Sequence, residues 1–198
     1  MLRLSTGPLV LCLALLLSGC SPDDSEPAVA TPPDSLKQRV TDVVTTIDMM
    51  RESLALTIDT TETVNAATFG RVCKPVGQRA KAFAQSHGWA FQQLARKNRN
   101  PAHTLDAEAE AVYETFAAHP DSTEQWVRTV RNGTDGWRYF RRITVERSCL
   151  ACHGAKEQRP TFVKNGYPND RAYNFEPGDL RGIYAVFVPT PTEASPTE

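Results

Sequence analysis

The stretch WVRTVRNGTDGWRYFRRITV, from Trp126 to Val145, decides the fold class. It is crowded with Val, Thr, Trp, Tyr and Ile, which suit a pleated surface. Asn132-Gly133-Thr134-Asp135-Gly136 interrupts it with residues that accept a turn. Beyond the turn, Trp137, Tyr139, Arg141, Ile143 and Val145 alternate with mostly polar neighbours. Two strands are therefore expected, 126–130 and 137–145, with a last one over 182–188. Asn132-Gly133-Thr134 is also a glycosylation sequon, but its turn role explains it better.

Upstream the period changes. Leu36, Val40, Val43, Val44 and Ile47 recur at helical spacing. A second helix is expected over 61–86, with Phe69, Val72, Cys73, Val76, Ala80 and Phe83 on its apolar side and Gly88 as its stop. Pro75 lies inside it and predicts a kink, because proline lacks the backbone donor and crowds the preceding turn. Asn98 to Pro101 reads as a loop, and Leu105, Val112 and Phe116 as one side of a third helix. Helices first and an antiparallel sheet after them give an α+β fold. Trp89, Phe91, Trp126, Trp137 and Phe140 are the aromatic candidates for the core or for a cofactor face.

The 198 residues suffice for one ordinary domain, and 40% hydrophobic with 23% charged composition is that of a globular chain. A formal net charge of −1 offers no basic surface for nucleic acid. The N-terminus carries Arg3, then an apolar run from Pro8 to Leu17 that is shorter than the ~20 residues of a membrane span. With Leu17-Ser18-Gly19-Cys20 behind it, the run reads as a bacterial lipoprotein signal over residues 1–19. Cleavage before Cys20 and lipidation of its thiol would anchor the chain to a membrane surface. Ser21 after the cysteine favours the periplasmic side of the outer membrane over the inner one. Residues 20–33, with Pro22, Pro27, Pro32 and Pro33, read as a tether, 34–189 as the folded domain and 190–198 as a disordered tail. Loss of residues 1–19 removes Arg3, so 23 acids then face 21 bases, net −2.

Cys149-Leu150-Ala151-Cys152-His153-Gly154 carries the chemistry. Two thiols at this spacing can add to the two vinyl groups of haem as thioethers, and the adjacent histidine is placed to ligate the iron. Zinc would want a second ligand pair, which the sequence lacks. A redox dithiol would have no need of the histidine. Export also favours one covalently attached haem c, since attachment takes place outside the cytoplasm. Of five cysteines, Cys12 leaves with the signal, Cys20 is taken by lipid, and Cys149 and Cys152 by haem. Cys73 is left without a disulfide partner, on the apolar side of a helix. A buried small residue is the ordinary alternative reading of it. Arg71, Arg96 and Arg99 are candidates to pair with the haem propionates, against the usual reading of solvated charges. His87, His103 and His119 are rival ligands near helix ends or loops, and Met49 and Met50 read as packing.

Ala95 to His103 (ARKNRNPAH), Ser148 to Gly154 (SCLACHG) and Tyr167 to Gly182 (YPNDRAYNFEPGDLRG) occur in this order with Cys73 upstream. Together they resemble a family of single-haem c-type proteins with a PAS-like fold, found as free-standing secreted proteins and as periplasmic sensor domains of histidine kinases. The resemblance spans about Leu36 to Pro189. It implies that Cys73 is the distal iron ligand, as a cysteine on the long helix can be in that family. One departure is visible: the family usually has glycine near Asn174, which bears on the local turn. Two functions follow as expectations. One is one-electron transfer to a redox partner protein. The other is redox or gas sensing through a signalling partner, since a lone lipid-anchored domain has no output of its own. No residue pattern identifies an enzyme's acid–base group, and none is expected.

Overall fold

The computed structural model describes residues 31–59 and 61–191. The expected signal sequence, Cys20, most of the expected tether and nearly all of the expected tail lie outside these residues. Helix α1 covers Asp34–Ala55 and helix α2 covers Ala66–His87. The second begins five residues later than expected because Asn65 caps it. The Asn65 side chain accepts from the N–H of Ala67 at 2.9 Å, and Thr68 answers with its hydroxyl. Gly88, at φ +67°, ends the helix in the left-handed region that glycine enters without strain. The helix continues on both sides of Pro75.

Four antiparallel strands follow: β1 (Ala90–Leu94), β2 (Glu124–Arg131), β3 (Thr134–Thr144) and β4 (Leu180–Pro189), in the order β1-β4-β3-β2. Helix α3 (Ala107–Ala118) lies between β1 and β2 in the chain. The β2–β3 hairpin turns at Asn132 (φ 50°) and Gly133 (φ 77°), with Arg131 opposite Thr134. Two positive φ values make a two-residue hairpin whose twist matches its strands.

The sheet is covered on both faces. Val40, Val44 and Ile47 of α1 and Val76 and Ala80 of α2 pack on Tyr139, Ile143, Tyr184 and Val186. Ala109, Val112, Tyr113 and Phe116 of α3 pack on Leu94, Phe140, Ile183 and Ala185. Each large side chain so buried contributes about 1.5–3 kcal/mol. The result is a PAS-like α+β fold.

Two features differ from the sequence reading, and a third agrees with it. Strand β1 went unseen because it is a five-residue edge strand whose Gln92 and Gln93 break the apolar pattern. The expected alternation along β3 fails at Arg138, which is only 1% exposed. Its face is covered by α3, so the guanidinium is held by both Asp106 oxygens at 2.8 Å and by Glu108 at 2.9 Å. The aromatic candidates stay in the core: Trp137 and Phe140 are buried, and Trp89, Phe91 and Trp126 pack on the α1–α2 side.

Candidate cofactor site

The motif segment forms a single 3-10 turn over Arg147–Cys149 that runs into α4 (Leu150–His153). A further short helix, α5, covers Thr161–Gly166. The motif is tied down by the segment after it. The N–H of Asn174 donates to Gly154 O at 2.7 Å, and that of Phe175 to His153 O at 3.2 Å. Asn174 itself sits at φ +54°. The turn where the family usually has glycine thus survives, since asparagine tolerates this region better than other side chains. Its amide oxygen also accepts from the N–H of Lys156 at 3.0 Å.

Cys149, Cys152 and His153 line a cavity of about 420 Å³, and Cys73 lines it from α2. The cavity lies at one end of the sheet. Arg51 and Ala55 of α1, Phe69, Val72 and Val76 of α2, Ile143 of β3 and Gly182 of β4 complete its wall. Gly182 has no room for a side chain, because a Cβ there would lie 2.5 Å from Leu94 O. Four cations reach the wall, Arg51, Lys74, Arg99 and Arg181, and no Asp or Glu among the described residues does.

The His153 ring donates through Nδ1 to Ala172 O at 2.8 Å and meets Phe175 edge-on. This fixes the proton on Nδ1 and leaves the Nε2 lone pair for a ligand. Burial, then the charges of Arg181 and Arg99, hold the imidazole well below its ordinary pKa, so it is neutral at pH 7. Burial pushes the Cys73 thiol up, against the pull of Arg99, Arg181 and Arg51, although its side chain opens into the cavity. Burial likewise pushes Cys152 up to about 11.

Of the three arginines singled out from sequence, the structure brings Arg99 to the cavity and not the other two. Arg96 is bound at the surface to Glu110 and Glu114 of α3. Arg71 is exposed and outside the cavity wall. Arg99 Nη2 donates to Cys152 O at 2.9 Å, and Nε to Asp170 at 3.3 Å. Arg51 and Arg181 line the cavity, where Arg71 and Arg96 do not. Arg51 donates to Asp48 at 2.9 Å and reaches Cys149 Sγ at 3.8 Å. Burial works against its charge, but Asp48 outweighs it and the pKa rises. Arg181 donates to Lys97 O at 3.1 Å, and no carboxylate among the described residues pairs with it. Burial and then Arg99 push its pKa down to about 10. Both had a signal in the sequence. Arg51 continues the one-turn spacing of Ile47 along α1, and Arg181 continues the alternate inward series of Ile183 and Ala185.

Among the rival ligands, His103 lines the cavity, where burial and Arg181 lower its pKa. His87 is turned back on its own helix, 2.9 Å from Phe83 O, and His119 ends α3. Met49 is exposed and Met50 packs against the core.

The sequence profile of the Tll0287-like family matches residues 31–189. The chain belongs to this family. The crystal structure of the cyanobacterial haem protein Tll0287 is 40% identical, covers 83% of this chain and 100% of its own, and superposes with a TM-score of 0.71. No curated protein matches the chain. The single-haem c-type family to which the three motifs pointed is the Tll0287-like family. The residues on the cavity wall fit a haem: paired thiols, an imidazole with a free Nε2, a thiol from a second helix and a cationic wall would suit such a group with its two propionates.

Proposed function

We propose that the chain holds one haem, attached through Cys149 and Cys152, with His153 as proximal and Cys73 as distal ligand. It serves as a one-electron carrier for a redox partner protein and not as an enzyme. The observation that carries this reading is that Cys73, from α2, and the Cys149–His153 motif line one cavity whose charged wall groups are all cationic. Arg51, Arg99 and Arg181 hold the propionates in this reading, and Val72, Val76 and Ile143 exclude water from the ring faces. The group itself supplies the reversible one-electron couple of its iron. A thiolate from Cys73 favours the oxidised form more than a thioether does. The lipobox at Cys20 would place the domain on a membrane outside the cytoplasm. No helix among the described residues is long and apolar enough to cross a membrane.

Mass spectrometry of the protein from cells that attach haem c tests this. The wild type should carry the mass of one haem, and Cys149→Ser with Cys152→Ser should lose it. Retention in the double variant would overturn the attachment. Carbon monoxide added to the reduced protein then separates carrier from gas sensor. Absence of binding, with reversible one-electron cycling, supports the carrier, and rapid binding favours the sensor.

A further inference from the structure

We propose that Asp170 is a positioning residue that sets the orientation and donor strength of His153, an inference that rests on the haem reading above. Its side chain is 0% exposed and does not itself line the cavity. One oxygen accepts from the N–H of Ala172 at 3.0 Å and from Arg99 Nε at 3.3 Å, and the other accepts from Arg159 Nη1 at 2.9 Å. Burial opposes the carboxylate, but Arg159, the Ala172 N–H and Arg99 outweigh it and hold its pKa below the ordinary value.

Two of these bonds lead to His153 by separate routes. Ala172 presents its carbonyl to His153 Nδ1 at 2.8 Å, so the bond to the Ala172 N–H fixes the acceptor that turns the ring. Arg99 carries its other nitrogen to Cys152 O at 2.9 Å, which fixes the backbone just before the histidine. Asp170 is therefore the common anchor of the carbonyl in front of the ring and the peptide behind it. A firmly held Nδ1–H···O bond makes a ligating imidazole a better donor, which favours the oxidised metal. Arg159 binds Asp170 from the far side and lies outside the cavity wall, so it balances the carboxylate's charge and not the ring.

Asp170→Asn in the haem-loaded full chain tests this. The amide can still accept from Ala172, but it cannot hold two guanidinium groups, so Arg99 and the Cys152 carbonyl are released. The reduction potential should rise by about tenfold in the one-electron equilibrium, about 60 mV. The haem methyl resonances of the oxidised protein, which report the plane of the axial imidazole, should shift with it. Asp106→Asn removes the same charge from a carboxylate whose partners, Arg138, Arg131 and the Ala109 N–H, all lie outside the cavity wall, and should leave both readouts at wild type. Unchanged potential and methyl shifts in Asp170→Asn would overturn the proposal, as would equal shifts in Asp106→Asn. If Asp170→Asn yields no loaded protein, Asp170→Glu takes its place. It keeps the charge but is one methylene too long to hold the Ala172 N–H and Arg99 together, so altered methyl shifts are expected and unaltered ones overturn the proposal. A wild type without covalent haem mass would instead overturn the reading on which it rests.

Discussion

Arg181→Met should make the haem-free protein more stable, against the usual direction of a change at a half-buried residue. Arg181 lies at the start of β4 with burial and Arg99 both acting against its charge, and its pKa falls from 12.5 to about 10. That fall corresponds to about 3 kcal/mol against the charged form at neutral pH. The sign follows from proton counting. Between pH 10 and 12.5 the unfolded chain holds more protons than the folded one, so stability rises there with pH, and below pH 10 the full penalty applies. Methionine removes that penalty but also removes the bond to Lys97 O, worth about 1 kcal/mol, and the stacking over Phe175, worth about as much. About 1 kcal/mol of net stabilisation remains, which raises Tm by about 2–4 °C for a domain of this size. The assay is thermal unfolding of the chain from residue 21 onward, purified without haem, beside the same variant loaded with haem. In the loaded form the sign reverses, because a propionate loses its partner. A lower Tm for the haem-free variant would refute the claim that this cation awaits an anion in the cavity.

Asp106→Asn should destabilise the domain by about 1–2 kcal/mol: Arg138 is buried, but Asp106 is 39% exposed and Glu108 still faces the guanidinium. The Asn oxygen can go on capping α3 at Ala109, so the loss reports the charge. Asp106 is held below its ordinary pKa by Arg138, the Ala109 N–H and Arg131 in spite of burial, so its contribution is present above about pH 3.9 and lost as pH falls further. Urea unfolding at pH 7 and pH 3 should show the wild type and the variant converging at the lower pH. In the haem-loaded protein, Cys73→Ala should keep the covalent mass and lose the thiolate signature from the absorption and electron paramagnetic resonance spectra. Unchanged spectra would remove Cys73 as the distal ligand.

The order of helices and strands could be read because their apolar periods are long, as along Val40 to Ile47, and because Asn132-Gly133 marks its hairpin by composition alone. The motif cysteines and His153 were legible for a different reason, since their chemistry is local in sequence. Of the arginines that reach the cavity only Arg99 was picked out, because their selection depends on where chain segments far apart in sequence meet. Arg96 and Arg99 are three residues apart, yet Arg96 meets Glu110 and Glu114 across α3 while Arg99 turns to Cys152 O. Arg51 stands one turn beyond Ile47, a spacing that turns it inward but does not say what it meets. Nothing in α1 shows that Cys149, 98 residues later, will lie against it. Asp170 was hidden too, because its effect passes through the backbone of Ala172, whose side-chain type says nothing of it.

The division of the packing suggests which part of the molecule depends on a bound group. The two apolar clusters on the faces of the sheet draw on α1, α2, α3 and the strands, and neither contains a residue of the motif. The motif segment rests on a third, smaller cluster, Val145, Ala172 and Phe175, against which Cys149 and Leu150 pack. Three side chains of this kind supply only a few kcal/mol of burial, and ordering the motif's turns costs about 1–2 kcal/mol per residue in backbone entropy. The repulsion between Arg99 and Arg181 falls at the same place. The sheet and its helices can therefore form without the cofactor, whereas the motif and the cavity wall gain from an anionic group that bridges them to α2. The proposed covalent attachment would suit this arrangement: two bonds from one turn would keep the group in place, and Cys73, carried by a helix whose packing does not involve the motif, could bind it or not without loss of the fold.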